Sequence, residues 1–118
     1  MTKRILVVDD SNLMRHCIAQ CLTRAGHKVI GKARDGNEAV ALYRTLHPDV
    51  VTMDITMRGK DGISAAGEIL LIDPRASIVF YTLLDVASVE PRLQKVTMVR
   101  VIRKGDEAGL LKTLEEIA

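Results

Sequence analysis

Three acids, a hydroxyl and a lysine stand at the ends of four apolar runs in this chain. Ile5-Leu6-Val7-Val8 leads into Asp9-Asp10, and Val50-Val51-Thr52-Met53 into Asp54. Ile78-Val79-Phe80-Tyr81 leads into Thr82, and Val99-Arg100-Val101-Ile102-Arg103 into Lys104. Taken singly, each has an ordinary explanation: an acid after a strand is a loop acid or a helix cap, Thr82 a strand former, Lys104 a solvated charge. Gathered in one crevice they change character, because like-charged carboxylates repel unless a proton or a cation intervenes. A hard divalent cation is the natural relief. Magnesium takes one or two carboxylates and fills its shell with waters and phosphate oxygens. Asp54 is then the candidate nucleophile, a carboxylate able to form an aspartyl phosphate. Lys104 and Mg2+ would neutralise the phosphoryl oxygens, and Thr82 would donate its hydroxyl to one of them.

Something must bring those ends together. The continuous apolar runs at 5–8, 50–53 and 78–81 have the composition of strands buried on both faces, as in parallel sheets. Helical periods lie between them. Leu13, Met14, Cys17, Ile18, Cys21, Leu22 and Ala25 make one apolar stripe, with Ser11 as N-cap and Gly26 as terminator. Lys28–Ala33 reads as a weaker second strand. Ala39, Val40, Leu42, Tyr43 and Leu46 line a second helix that stops before His47-Pro48. Ile63, Ala66, Ile69 and Leu70 line a third, ending near Asp73-Pro74, and Leu110, Leu111, Leu114 and Ile117 a last one. Strands alternating with helices predict a doubly wound α/β fold, since parallel strands need crossover helices. Right-handed crossovers favour strand order 2-1-3-4-5. Ligands in such sheets bind outside the carboxyl ends of the strands, where the order reverses. Asp9, Asp10 and Asp54 would meet there.

At 118 residues the chain has the size of one domain, so residues 1–118 are expected to form a single unit. A hydrophobic share of 47%, a charged share of 27% and a net charge of +2 fit an ordinary globular protein and do not signal nucleic-acid binding. Two cysteines are too few for a disulfide framework. Cys17 and Cys21 share an apolar helix face and read as core packing. His16, His27 and His47 have no ligand spacing with either cysteine. No apolar stretch is long enough to span a membrane, and Met1-Thr2-Lys3-Arg4 enters a strand at once, leaving no room for a signal peptide. A cytoplasmic location follows as the expectation.

Over essentially its whole length the chain resembles the response-regulator receiver domains of two-component signalling, most of all the stand-alone chemotaxis regulators. The resemblance rests on Ile5-Leu6-Val7-Val8-Asp9-Asp10-Ser11 with Met14-Arg15, on Met53-Asp54-Ile55-Thr56-Met57 with Asp61-Gly62, on Thr82, and on Lys104, twenty-two residues further on. It implies a flavodoxin-like three-layer (βα)5 sandwich and a phosphorylatable switch. A partner histidine kinase would carry a phosphohistidine, and Asp54 would take its phosphoryl group. Mg2+ would be bound by Asp10, Asp54 and the Thr56 carbonyl, with Asp9 acting through a metal-bound water. Thr82 and Lys104 would then be drawn inward, shifting the surface of the fourth helix, fifth strand and fifth helix toward a downstream output protein.

Several positions depart from that pattern. Arg58 and Gly105 stand where relatives often have proline, which would leave the loops around the site less constrained. Leu83 replaces a small residue and would crowd access to Asp54, slowing phosphorylation. Val101 replaces an aromatic switch residue; Tyr81 is an available ring, but strand alternation packs it against a helix. Pro91 falls where the fourth helix should run, so that helix should start late, near Glu90-Pro91, or be poorly formed. Thr97-Met98 replaces a common Gly-Ala pair. Arg92, Lys95, Arg100, Arg103 and Lys104 would form a basic output face for an acidic partner. These departures motivate an alternative, a pseudo-receiver whose protein binding no longer needs phosphate; a receiver excised from a larger regulator is a further one. A phosphatase with an aspartate nucleophile would need a second acid where Thr56 sits, and a flavodoxin-type cofactor site would need a phosphate loop after the first strand.

Overall fold

Alternation of inward and outward side chains along three central strands divides this protein into two cores. The computed structural model describes residues 2–93 and 99–117; Lys95 and Thr97-Met98 lie outside the described residues. The strands are β1 (Arg4–Val8), β2 (Lys28–Ala33), β3 (Val50–Met53), β4 (Ile78–Thr82) and β5 (Val99–Arg103). All pair in parallel, in the order β2-β1-β3-β4-β5. The helices are α1 (Asn12–Arg24), α2 (Gly36–Leu46), α3 (Gly62–Ile72), α4 (Val86–Val89) and α5 (Glu107–Glu116), with a 3-10 turn at Glu90–Leu93. The expected flavodoxin-like three-layer architecture and strand order are present.

On β1, Leu6 and Val8 face one way and Ile5 and Val7 the other, as the two-residue period of a strand requires. Val51, Met53, Ile78 and Phe80 join Leu6 and Val8 against α2 and α3, where Ala39, Tyr43, Ala66 and Ile69 pack. Ile5, Val7, Val50, Val79 and Tyr81 join Ile18 and Leu22 of α1 and Leu110 and Leu114 of α5. Burying one such side chain stabilises the fold by about 1.5–3 kcal/mol. Thr52 is the exception on β3: it is buried, and its hydroxyl has no partner among the described residues.

Each helix begins at the carboxyl end of a strand with a residue that caps it. Ser11, Asp35, Asp61, Asp85 and Asp106 accept from backbone N–H groups of Met14, Glu38, Ser64, Ala87 and Gly109. These caps satisfy donors that a first helical turn leaves free. At the opposite rim, Arg4 ties three segments together. Its backbone N–H donates to Asp49 Oδ2 at 2.8 Å, and its guanidinium donates to the carbonyls of Leu46 and His47 at the end of α2. Nearby, the Lys3 N–H donates to His27 Nδ1.

Two expectations need correction. Along α1 the apolar stripe is wider than the buried face: Leu13, Cys17 and Ala25 are exposed, and the packed residues are Ile18, Ala19, Cys21 and Leu22. Only the narrower face that meets β1 and α5 is buried. The fourth helix does not start late. Asp85 caps it, and it runs Val86–Val89 before tightening into the 3-10 turn that holds Pro91. Glu90 closes its last bond, to the Val86 carbonyl, and Pro91 has no N–H to continue the ladder. Its shortness was expected; its position was not. Tyr81 is packed against α1 and α5, as strand alternation required.

Two measurements test this description. Amide exchange across 85–93 should be orders of magnitude faster than across the buried face of α1, as single-turn helices open locally at little cost; equal protection would contradict it. Replacing Thr52 by Val should raise stability by about 1 kcal/mol in urea unfolding, because an unmet buried hydroxyl is removed from a site of the right shape.

Candidate functional site

The sheet register brings the acids together. β1 lies between β2 and β3, so Val8 is level with Met53, and the next residues, Asp9 and Asp54, leave the same edge side by side. The Asp54 N–H donates to the Val8 carbonyl and the Asp9 N–H to the Ala33 carbonyl, both at 3.0 Å, carrying the ladder one step past the strands. Oxygens of Asp9, Asp10 and Asp54 all lie within 4.8 Å of one another. Asp9 and Asp54 are buried; Asp10 is exposed at the mouth.

Lys104 reaches this cluster from the far edge of the sheet. Its N–H donates to the Thr82 carbonyl at 2.8 Å, one residue past β5. Its Nζ lies 2.8 Å from Asp9 Oδ2 and 3.0 Å from Asp54 Oδ2, with the side chain only 9% exposed. Lys104 therefore belongs to the interior of the site and not to the basic outer face expected of it; Arg92, Arg100 and Arg103 remain exposed. Asp9 Oδ2 accepts no well-aligned hydrogen bond among the described residues, so the ammonium is its main compensation. Asp9 Oδ1 accepts from the Ser11 N–H, and the Asp9 carbonyl accepts from Arg15 Nη1. Asp54 Oδ1 accepts from the Ile55 N–H at 2.8 Å.

Electrostatics shows what is missing. Burial pushes the Asp54 carboxyl above the ordinary carboxylate range; the Lys104 ammonium pulls it down, and the neighbouring Asp9 adds to the rise. Burial works against the charged form of Lys104 too, yet hydrogen bonds and attraction from Asp9 and Asp54 together hold it above its usual value. Three carboxylates against one ammonium leave two negative charges. That deficit, and an all-oxygen donor set, fit a hard divalent cation such as Mg2+.

Thr82 is buried at the end of β4, beside the end of β3, and its Oγ1 accepts from the Leu84 N–H at 3.2 Å. Its proton has no acceptor among the described residues. Thr56 lies exposed in the turn after Asp54. Leu83 is 69% exposed, a side chain standing in solvent instead of packing over the carboxylates. Arg58 lines an open groove of about 640 Å3 with Asp10, Ser11, Arg34 and Asp35.

Two contacts carry no direct signal in the sequence. A Cβ on Gly62 would stand 2.0 Å from the Asp54 carbonyl oxygen, so only glycine lets the start of α3 press against the backbone of Asp54. The Gly62 N–H donates to the Ile55 carbonyl at 2.8 Å, which closes the loop between them. Gly105 takes φ +99, a conformation closed to proline, and its N–H donates to the Tyr81 phenol oxygen at 3.0 Å. This loop is pinned by a hydrogen bond in place of a ring.

Fold and site thus define a parallel α/β domain with a cation-ready acidic crevice at its switch point. The family model for the response regulator receiver domain matches residues 5–115. The chain is 38% identical over 115 residues to the chemotaxis protein CheY of Thermotoga maritima, covering 98% of this chain and 89% of that protein. A two-component response regulator of the LuxR family from Aurantimonas sp. superposes with a TM-score of 0.93 at 32% identity, over 99% of this chain and 85% of that one. CheY in the CheX–CheY–BeF3–Mg complex from Borrelia burgdorferi gives a TM-score of 0.85 at 31% identity, over 97% and 87%. The chain belongs to the response regulator receiver domain family, and its acidic cluster fits the Mg2+ and phosphorylation site of a signalling switch.

The charge imbalance makes a prediction. A buried carboxyl with a raised pKa contributes stability only while protonated; above that pKa its ionised form costs stability. Asp54→Asn should therefore raise Tm near neutral pH in the absence of divalent ions. Millimolar Mg2+ should raise the Tm of the parent chain more than that of the variant, closing the gap. A variant no more stable than the parent in chelator would show that the charge deficit is not felt.

Proposed function

We propose that Asp54 is the phosphoacceptor of a two-component signalling switch and that a partner histidine kinase supplies the group. The observation that carries this reading is the Lys104 ammonium, shared between the buried Asp9 and Asp54 where a third carboxylate, Asp10, converges at the mouth of the crevice. Such a crevice favours a ligand that brings a cation and an oxyanion together.

The Asp54 carboxylate attacks phosphorus as the phosphorus–nitrogen bond of the donor phosphohistidine breaks, and the imidazole departs with the bonding pair. Asp54 Oδ1 is steadied by the Ile55 N–H, so the carboxylate presents a fixed face. Lys104 moves its contact from Asp54 Oδ2 to an equatorial phosphoryl oxygen and offsets its charge. Thr82 donates a hydrogen bond from its hydroxyl to another. Asp10, Asp54 and the Thr56 carbonyl would hold Mg2+, with Asp9 acting through a metal-bound water; the ion supplies charge neutralisation of the transferred group. Arg34 and Arg58 at the groove raise the local concentration of an anionic donor.

Output follows from a shift in population, because the phosphoryl group contacts one arrangement of Thr82 and Lys104 better than the other. These residues end β4 and β5, and α4 hangs directly after β4. The face of α4, β5 and α5 then changes its fit to a downstream protein, in chemotaxis by analogy with the CheY relatives, as the CheX–CheY complex illustrates for another receiver. Exposed Arg92, Arg100 and Arg103 give that face a basic character suited to an acidic partner. No direct nucleic-acid contact is part of this reading. No helix among the described residues is long and apolar enough to cross a membrane, and the site of action is taken as the cytoplasm.

Intact-protein mass spectrometry after incubation with Mg2+ and acetyl phosphate tests the core of this. One phosphoryl adduct should form, and Asp54→Asn should abolish it, as should chelation of Mg2+. A folded protein that takes no adduct, beside a receiver that does, would refute the proposal.

A further inference from the structure

Lys104 has a long, flexible stem, yet its ammonium is held between two carboxylates with little exposure. What fixes its base is two hydrogen bonds, both from β4. The β4–β5 register sets Tyr81 opposite Ile102 and Thr82 opposite Arg103. Beyond the last pair, the Thr82 carbonyl accepts from Lys104 N and the Tyr81 phenol oxygen from Gly105 N, the next N–H along. The Lys104 Cα thus lies between two restrained peptide units. The ring providing the second restraint is itself immobile: Tyr81 is 4% exposed and packs among Ile18, Leu22, Leu110 and Leu114. Tyr81 lines a small cavity of about 30 Å3 together with Cys21 and Glu107. Only a residue with an N–H, and free to take φ +99, completes the bond, and Gly105 is such a residue.

We propose that Tyr81 is a positioning residue for Lys104, its hydroxyl holding the β5–α5 loop so that the ammonium meets the phosphoryl group on Asp54. The inference rests on the phosphoacceptor reading. It assigns to Tyr81 a role different from that of an aromatic switch: the ring does not move, and its oxygen is what matters.

Tyr81→Phe keeps the ring and removes the oxygen. With acetyl phosphate and Mg2+, it should take up phosphoryl groups roughly three- to tenfold more slowly, the size of one lost neutral hydrogen bond. Fluoroberyllate affinity should fall by a similar factor while Mg2+ affinity, set by the carboxylates, stays the same. Ile69→Val, which loosens the core on the opposite face of the sheet without touching the Tyr81 ring, serves as the control and should change neither. Phosphorylation and fluoroberyllate binding unchanged in Tyr81→Phe, or equally impaired in Ile69→Val, would overturn the proposal. Should the parent chain itself take no phosphoryl group, the phosphoacceptor reading falls, and the Lys104 ammonium resonance decides the matter separately. A signal protected in the parent and lost in Tyr81→Phe supports positioning; a signal equally protected in both removes it.

Discussion

One lysine ammonium among buried carboxylates sets the terms for the rest of this structure. Taking Lys104, Asp9 and Asp54 out of water costs several kcal/mol per ion, and their attraction offsets that only when geometry is good. Good geometry here is the work of the sheet: three strand ends in register, with the ladder prolonged one residue past β1, β3 and β5. Even so the balance is left unfinished, since the charges do not cancel. A fold designed only for stability would have removed an acid. Retaining all three keeps the crevice receptive to a ligand of opposite charge, and the apolar packing above and below the sheet carries the cost.

Backbone constraints do more around this crevice than side chains do. Gly62 brings the start of α3 against the Asp54 carbonyl, and Gly105 turns the chain after Lys104 with φ +99. Five capped helices start at the same edge, each cap accepting from an N–H of its first turn. α4 is the contrast, one turn followed by a 3-10 turn. Segments that change arrangement during switching come from the less stable parts of a fold, and α4 is such a part.

Much of this was legible from residue pattern together with the family resemblance, from which the strand order is partly borrowed. Continuous apolar runs located the strands, and Ser11 and the prolines marked helix limits, because each reports a local rule. Strand order put Asp9, Asp10, Asp54, Thr82 and Lys104 at one edge. What did not show was whatever depends on two distant segments at once. Cys17 has the spacing of a buried residue, yet it stands exposed on α1 while Cys21 is buried. Arg58 and Gly105 looked like lost constraints, but the Gly105 loop is fixed by a phenol twenty-four residues earlier in sequence, through the register of β4 and β5. Lys104 fits both the site and the basic outer face when read in sequence, because sequence gives no depth. The start of α4 lies ahead of the position that Pro91 suggests, because Asp85 already caps the helix.

The two rims of the sheet hold different kinds of polar contact. Where strands end, charge is concentrated and left unbalanced; where they begin, Arg4 joins β1, the end of α2 and Asp49, and His27 receives the Lys3 N–H. The Arg4 clasp is far from the acids, so selection acting on one rim barely constrains the other. Substitutions near Arg4 should be visible in thermal robustness and hidden in signalling rate, those near Asp54 the reverse. Such a division lets a lineage retune its chemistry without risking collapse of the scaffold, and regain robustness later without retuning the chemistry.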